Sequence, residues 1–174
     1  PRFQRKRLSA LSFELRKVPL LSRVGADRAD HLRTDVDAAI AGWGDALLLR
    51  VDDRNQVLIV EEQLALGPAA AFADDPPGDA VFLGRINDGR HVWAVRAALE
   101  APEDAAVRVV DPRRSSQGFD DVSAQLLACA LALLNWHGSA RFSAHDGSPT
   151  TSIRGGWARR NLLTGHEEFP RIDP

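Results

Sequence analysis

Residues 139–171, SARFSAHDGSPTTSIRGGWARRNLLTGHEEFPR, restrict the possible folds more than any other part of the chain. They carry a tight Gly147-Ser148-Pro149 knuckle, a Gly155-Gly156-Trp157 turn, a second loop closed by Gly165, and an aromatic-proline exit at Phe169-Pro170. Glycine and proline at such intervals dictate turns rather than long elements. The spacing is that of a small metal-binding ribbon, yet the stretch contains no cysteine.

The rest of the composition narrows the options. At 174 residues, with 44% hydrophobic and 26% charged residues, the chain has a globular balance and can bury a real core. Its net charge of -2 argues against strong steering of nucleic acid by the whole domain. The basic RFQRKR at 2–7 and the acidic FADDPPGDA at 72–80 read as solvated segments. The single cysteine, Cys129, excludes an internal disulfide and any cysteine-based zinc site, and is compatible with a reducing cytoplasm. No segment approaches the roughly 18 apolar residues that span a bilayer, and the start lacks the apolar stretch of a signal peptide. The chain begins at Pro1 and has no methionine, which leads us to expect part of a longer product.

Patterning suggests the elements. ADHLRTDVDAAIAGWG at 29–44 places Leu32, Val36, Ala39, Ile40 and Trp43 at helical spacing, ended by Gly42 and Gly44. ALLLRVDDRNQVLIV reads as two strands around an Asp- and Asn-rich turn. LALGPAAAFADDPPGD reads as a surface loop. Asn87-Asp88-Gly89 is a hairpin turn between two β-rich runs, and VRVV at 107–110 is a further strand. From Phe119 to His137 one helix is expected, with Gly118 and Asp120 near its start and Val122, Leu126, Cys129 or Ala130, and Leu133 at turn spacing. The reading is α+β: an N-terminal mixed sheet with a long helix over 1–137, then a small ribbon-like β module over 138–174.

Catalytic signatures do not emerge. The histidines His31, His91, His137, His145 and His166 form no H-x-x-x-H pair. His137, His145, Asp146 and His166 fall in one compact tail and are a candidate mixed metal site, against the plainer reading of loop histidines. No G-x-S-x-G or phosphate-binding loop occurs, and Glu61-Glu62 and Glu167-Glu168 lack carboxylate partners at helical spacing. No catalytic residue is assigned.

From Ala132 onward the chain resembles the NADH pyrophosphatase family, a branch of the Nudix hydrolases. In that family Arg-Phe-Cys-x-x-Cys-Gly-x-Pro-Thr is followed by Gly-Gly-Trp-x-x-x-Cys-x-x-Cys and then an aromatic-Pro-Arg. Trp136, Arg141, Phe142, Gly147, Pro149, Thr150, Gly156, Trp157, Phe169, Pro170 and Arg171 fall in register. The cysteines of the motif land on Ser143, Asp146, Asn161 and Thr164, whose side chains are poor zinc ligands. The resemblance therefore implies a ribbon without zinc. Its knuckles would be held by side-chain-to-backbone hydrogen bonds, with Phe142 and Trp157 packed on a neighbouring domain.

The resemblance also implies a function. Family members cleave the pyrophosphate of NADH or NAD to nicotinamide mononucleotide and AMP, and some remove NAD caps from RNA. Their chemistry belongs to a glutamate-rich Nudix box that binds magnesium or manganese, and this chain has none. The expected role is thus the non-catalytic N-terminal part of a cytoplasmic, homodimeric hydrolase, leading into a Nudix domain and serving as scaffold, dimerisation region and part of the substrate site. The resemblance points to Phe169 for stacking on a nucleotide ring and to Arg114 for a pyrophosphate oxygen. Where some members carry an acid before the ribbon tryptophan, Gly156 stands here. The alternative is a standalone nucleic-acid-binding or dimerisation module that uses Arg154, Arg159 and Arg160.

Overall fold

A computed structural model describes residues 25–100, 106–115 and 118–171, so the basic stretch at 2–7 lies outside the described residues. The β-branched and apolar runs form β1 (Leu47–Val51), β2 (Val57–Val60), the short β3 (Gln63–Leu64) and β4 (Gly67–Pro68), β5 (Val81–Arg85), β6 (His91–Arg96) and β7 (Val107–Val110). Their order is β3-β2-β1-β6-β5, with β4 on β1 and β7 on β2. β1 and β6 run parallel while the other pairings are antiparallel, giving the mixed sheet.

Side-chain alternation sorts the strands into two buried faces. Leu49, Val51, Val81, Leu83, Val92 and Ala94 meet one side of α4 (Asp121–Ser139), through Leu126, Ala130 and Leu133. Leu48, Phe82, Trp93 and Val95 point the other way, onto Leu32, Ala39 and Trp43. Trp43 and Trp93 meet edge to face at 5.7 Å, and the Trp43 indole donates to the Ala73 carbonyl at 2.8 Å. Asp120 caps α4 by accepting from the Ser123 amide at 2.7 Å.

Two expectations change. The helix expected over 29–44 divides into α1 (Asp30–Thr34) and α2 (Val36–Ala41), because Asp35 leaves helical geometry and its carboxylate caps α2 at the Ala38 amide. The loop expected over 64–79 carries β4 and a 3-10 turn at Ala69–Ala71. Its Ala69 amide bonds the Ala46 carbonyl and the residue is fully buried.

The ribbon is a second, three-stranded antiparallel sheet: β8 (Thr150–Ile153), β9 (Ala158–Asn161) and β10 (Glu167–Glu168), in the order β10-β9-β8. It sits against β5, the strand that ends the larger sheet.

Candidate functional site

The two knuckles repeat one hydrogen-bond pattern. In the first, the Ser143 amide donates to the Ser148 carbonyl at 2.8 Å and the Gly147 amide to the Ser143 carbonyl at 2.9 Å. In the second, the Asn161 amide donates to the His166 carbonyl at 2.8 Å and the Gly165 amide to the Asn161 carbonyl at 2.9 Å. Gly147 and Gly165 occupy matching positions at φ 74° and 73°, the left-handed region that glycine enters without a Cβ penalty.

Ser143, Asp146, Asn161 and Thr164, where the resemblance puts the family's cysteines, are brought together here, and each accepts a knuckle amide. Ser143 Oγ takes the His145 amide at 3.2 Å, and Asp146 Oδ1 takes the Ser148 amide at 2.9 Å. Asn161 Oδ1 takes the amides of Leu163 and Thr164 at 2.8 and 3.0 Å, and Thr164 Oγ1 takes that of His166 at 3.3 Å. The knuckles are joined where Asn161 Nδ2 donates to both Asp146 oxygens, at 2.9 and 3.0 Å. The Ser148 amide and the Asn161 carboxamide hold the Asp146 carboxyl below its ordinary range. This set does not fit zinc: it offers neither thiolate nor imidazole, and the Asn161 carboxamide turns an N–H toward Asp146.

The mixed metal site does not assemble. His145 and His166 meet edge to face at 4.9 Å, but His137 lies elsewhere, against Gly156 and Arg159. Among the described residues no three His, Cys, Asp or Glu side chains gather around one point. Cys129 is buried in the core, which pushes its thiol pKa up.

The Gly155-Gly156-Trp157 turn is the seam between the two sheets. Trp157 Nε1 donates to the Phe82 carbonyl at 2.5 Å, occupying a carbonyl of the end strand β5. A Cβ on Gly156, at φ 87°, would come within 2.5 Å of Val81 Cγ1. The Arg33 guanidinium lies 3.4 Å from the centre of the Trp157 ring, a cation–π stack across 124 residues of sequence. His137 Nε2 donates to the Gly156 carbonyl at 2.7 Å, since its Nδ1 accepts from Arg159 at 2.8 Å. Burial, then the Arg159 charge, lowers the His137 pKa against the opposing pull of the Gly156 carbonyl and Asp79. Trp157 thus packs on the neighbouring domain as expected. Phe142 does not: it is 63% exposed.

Phe169 is 60% exposed and lines a 420 Å³ cleft with Arg28, Asp30, Arg33, Thr34, Arg154, Trp157 and Pro170. Arg114 is exposed on α3 (Pro112–Ser115) and is not among that cleft's lining residues. The arginines of the alternative reading do not form one patch. Arg154 and Arg160 both bind Glu167 at 2.9 Å, and their hydrogen bonds, Arg160 first, lower its pKa. Arg159, on the other face of β9, turns toward Thr150 and His137. Sequence reasoning missed Arg33, Arg96 and the role of Arg159, because their partners are distant in the chain and no local motif marks them.

Two family models match the chain: the NADH pyrophosphatase-like rudimentary NUDIX domain over residues 36–136 and the NADH pyrophosphatase zinc ribbon domain over 139–169. The proteins named NAD-capped RNA hydrolase NudC from Mycobacterium tuberculosis and Mycobacterium bovis are each 60% identical over 169 residues. The alignments cover 96% of this chain and 54% of each relative, so the chain spans about half the length of the curated relatives it matches.

Proposed function

The chain belongs to the NADH pyrophosphatase family of NUDIX hydrolases. From that premise we propose that it forms the non-catalytic N-terminal part of an enzyme that hydrolyses NAD(H) to nicotinamide mononucleotide and AMP and removes NAD caps from RNA. The observation that carries this reading is the 60% identity, across 96% of the chain, to proteins named for cap hydrolysis. The proposed modules are 1–137 and 138–174, in a cytoplasmic homodimer whose catalytic domain binds magnesium or manganese. No helix among the described residues is long and apolar enough to cross a membrane.

Phe169 and Arg114 are the proposed substrate contacts. Phe169 offers an exposed aromatic face in a cleft with Arg28, where Arg33 and Arg154 are already paired with Asp30 and Glu167; the ring is suited to stacking on a planar base and Arg28 to a phosphate oxygen. Arg114 projects from α3, outside the cleft that Phe169 lines. The ribbon works without zinc, because each ligand position is engaged in the hydrogen bonds described above.

The test joins this chain to the C-terminal half of the M. tuberculosis relative and follows release of nicotinamide mononucleotide from NADH and from NAD-capped RNA with magnesium or manganese. The fusion is expected to cleave both and the chain alone neither. In the fusion, Phe169→Ala should lower kcat/KM for NADH by about fivefold or more, since base–aromatic stacking contributes ~1–3 kcal/mol. Product release by the chain alone would overturn the non-catalytic assignment. A folded fusion without activity would overturn the hydrolase reading.

A further inference from the structure

We propose that the cleft between the end of α4, β6 and the ribbon binds a ribose-phosphate strand, the RNA that follows the cap. Its identification with the RNA of a capped substrate rests on the reading above; the binding itself does not. The cleft encloses 640 Å³ and is lined by Arg96, Arg141 and Arg159, which come from three separate segments of the chain. That volume suits a short length of strand better than a single ion.

What distinguishes these arginines is how they are held. Arg33, Arg85, Arg90, Arg108, Arg154 and Arg160 each sit on a carboxylate. In the cleft the hydrogen-bond acceptors are neutral, although Glu168 lies opposite Arg159 across β9 and β10. Arg96 donates to the Asp52 carbonyl and to the carboxamide oxygens of Asn55 and Asn135, at 2.5, 2.8 and 2.5 Å. Arg159 donates to the Thr150 hydroxyl and carbonyl and to His137 Nδ1, at 2.7, 2.8 and 2.8 Å. Neutral acceptors orient a guanidinium without cancelling its charge, which prepares it for a phosphate oxygen. Arg141 is exposed and forms no ion pair among the described residues.

The same cleft carries Asp53 and Asp79 together with the hydroxyls of Thr151 and Ser152. The guanidiniums outnumber the carboxylates, so phosphate is attracted. An isolated phosphate nevertheless gains nothing from the two aspartates. A ribose-phosphate strand does, because its hydroxyls donate to carboxylates while its phosphodiesters meet the arginines. DNA lacks the 2′-hydroxyl and so has fewer such donors.

The experiment measures anisotropy of a short fluorescent uncapped oligoribonucleotide on this chain, beside DNA of the same sequence and with inorganic phosphate as competitor. RNA should bind more tightly than DNA and resist phosphate. Arg141→Gln should weaken RNA binding about fivefold and flatten the dependence of log K on log salt by about 0.7, the value of one phosphate contact on a single strand. Arg160→Gln removes the same charge outside the cleft and should leave affinity as it was. Equal effects of the two variants, no RNA binding, equal DNA binding or easy displacement by phosphate would each overturn the proposal. Because the probe has no cap and nothing is hydrolysed, an inactive fusion enzyme leaves this result standing, and the converse holds too.

Discussion

At the scale of single residues, Asn161 has the most to lose. It is 1% exposed, accepts two backbone amides and donates to both oxygens of Asp146. Asn161→Ala strips these partners together and should destabilise the protein by about 2–4 kcal/mol, read in a denaturant melt. Asn161→Asp keeps the shape but sets a second carboxylate against Asp146 and should do more harm. A variant as stable as the parent chain would remove Asn161 from its place as the link between knuckles. The sequence marked this position as one of four altered ligands, but not as the hub, because only burial ranks polar residues of similar type. His137 gives a second residue-level prediction. Its folded pKa lies below the ordinary 6.5, so the folded state takes up its proton less readily than the unfolded chain. Stability is full above that value and falls as the pH drops through it toward the lower folded pKa. His137→Gln should flatten this part of a melting-temperature profile.

Among the elements, those with a strong local pattern were legible. The hairpin around Asn87-Asp88-Gly89 and the helix ending near His137 follow from turn chemistry and spacing, and the structure has them as β5–β6 and α4. The break between α1 and α2 was not legible. A helical period runs through Asp35, and what interrupts it is a cap that the same residue supplies to the next turn. The sequence put Trp157 against a neighbouring domain but could not say where, since the partners of Gly-Gly-Trp, Val81 and Phe82, lie on another sheet. Gly156→Ala tests that assignment. Its new Cβ would meet Val81 Cγ1 at 2.5 Å and Val81 Cα at 3.0 Å, on a backbone at φ 87°. The expected cost is about 2–4 kcal/mol from overpacking and backbone strain together. If the ribbon leaves β5, Trp157 fluorescence should shift to the red and protease should cut between the sheets before global unfolding.

For the molecule as a whole, the proposal that the ribbon holds no zinc raises the question of how so small a module would stay folded without the metal that the family's cysteine motif implies. Structural zinc contributes on the order of 10 kcal/mol or more to an isolated finger-sized unit. Here the module is not isolated. Trp157 packs on the core of the larger domain, its indole bonds Phe82, Arg33 covers its face and His137 ties the end of α4 to Gly156. The polar knuckles then need only satisfy their own amides, a task that serine, aspartate, asparagine and threonine perform without metal. This division of labour predicts that the purified chain holds no stoichiometric zinc by elemental analysis and melts at the same temperature with or without a strong chelator. Placing cysteine at 143, 146, 161 and 164 together should reverse both results. That variant should bind one zinc, lose stability relative to the parent chain when the metal is stripped, and regain it on addition. A parent chain that carries zinc, or melts earlier in chelator, would mean that packing at the seam is insufficient and that the hydrogen-bonded knuckles are not its substitute.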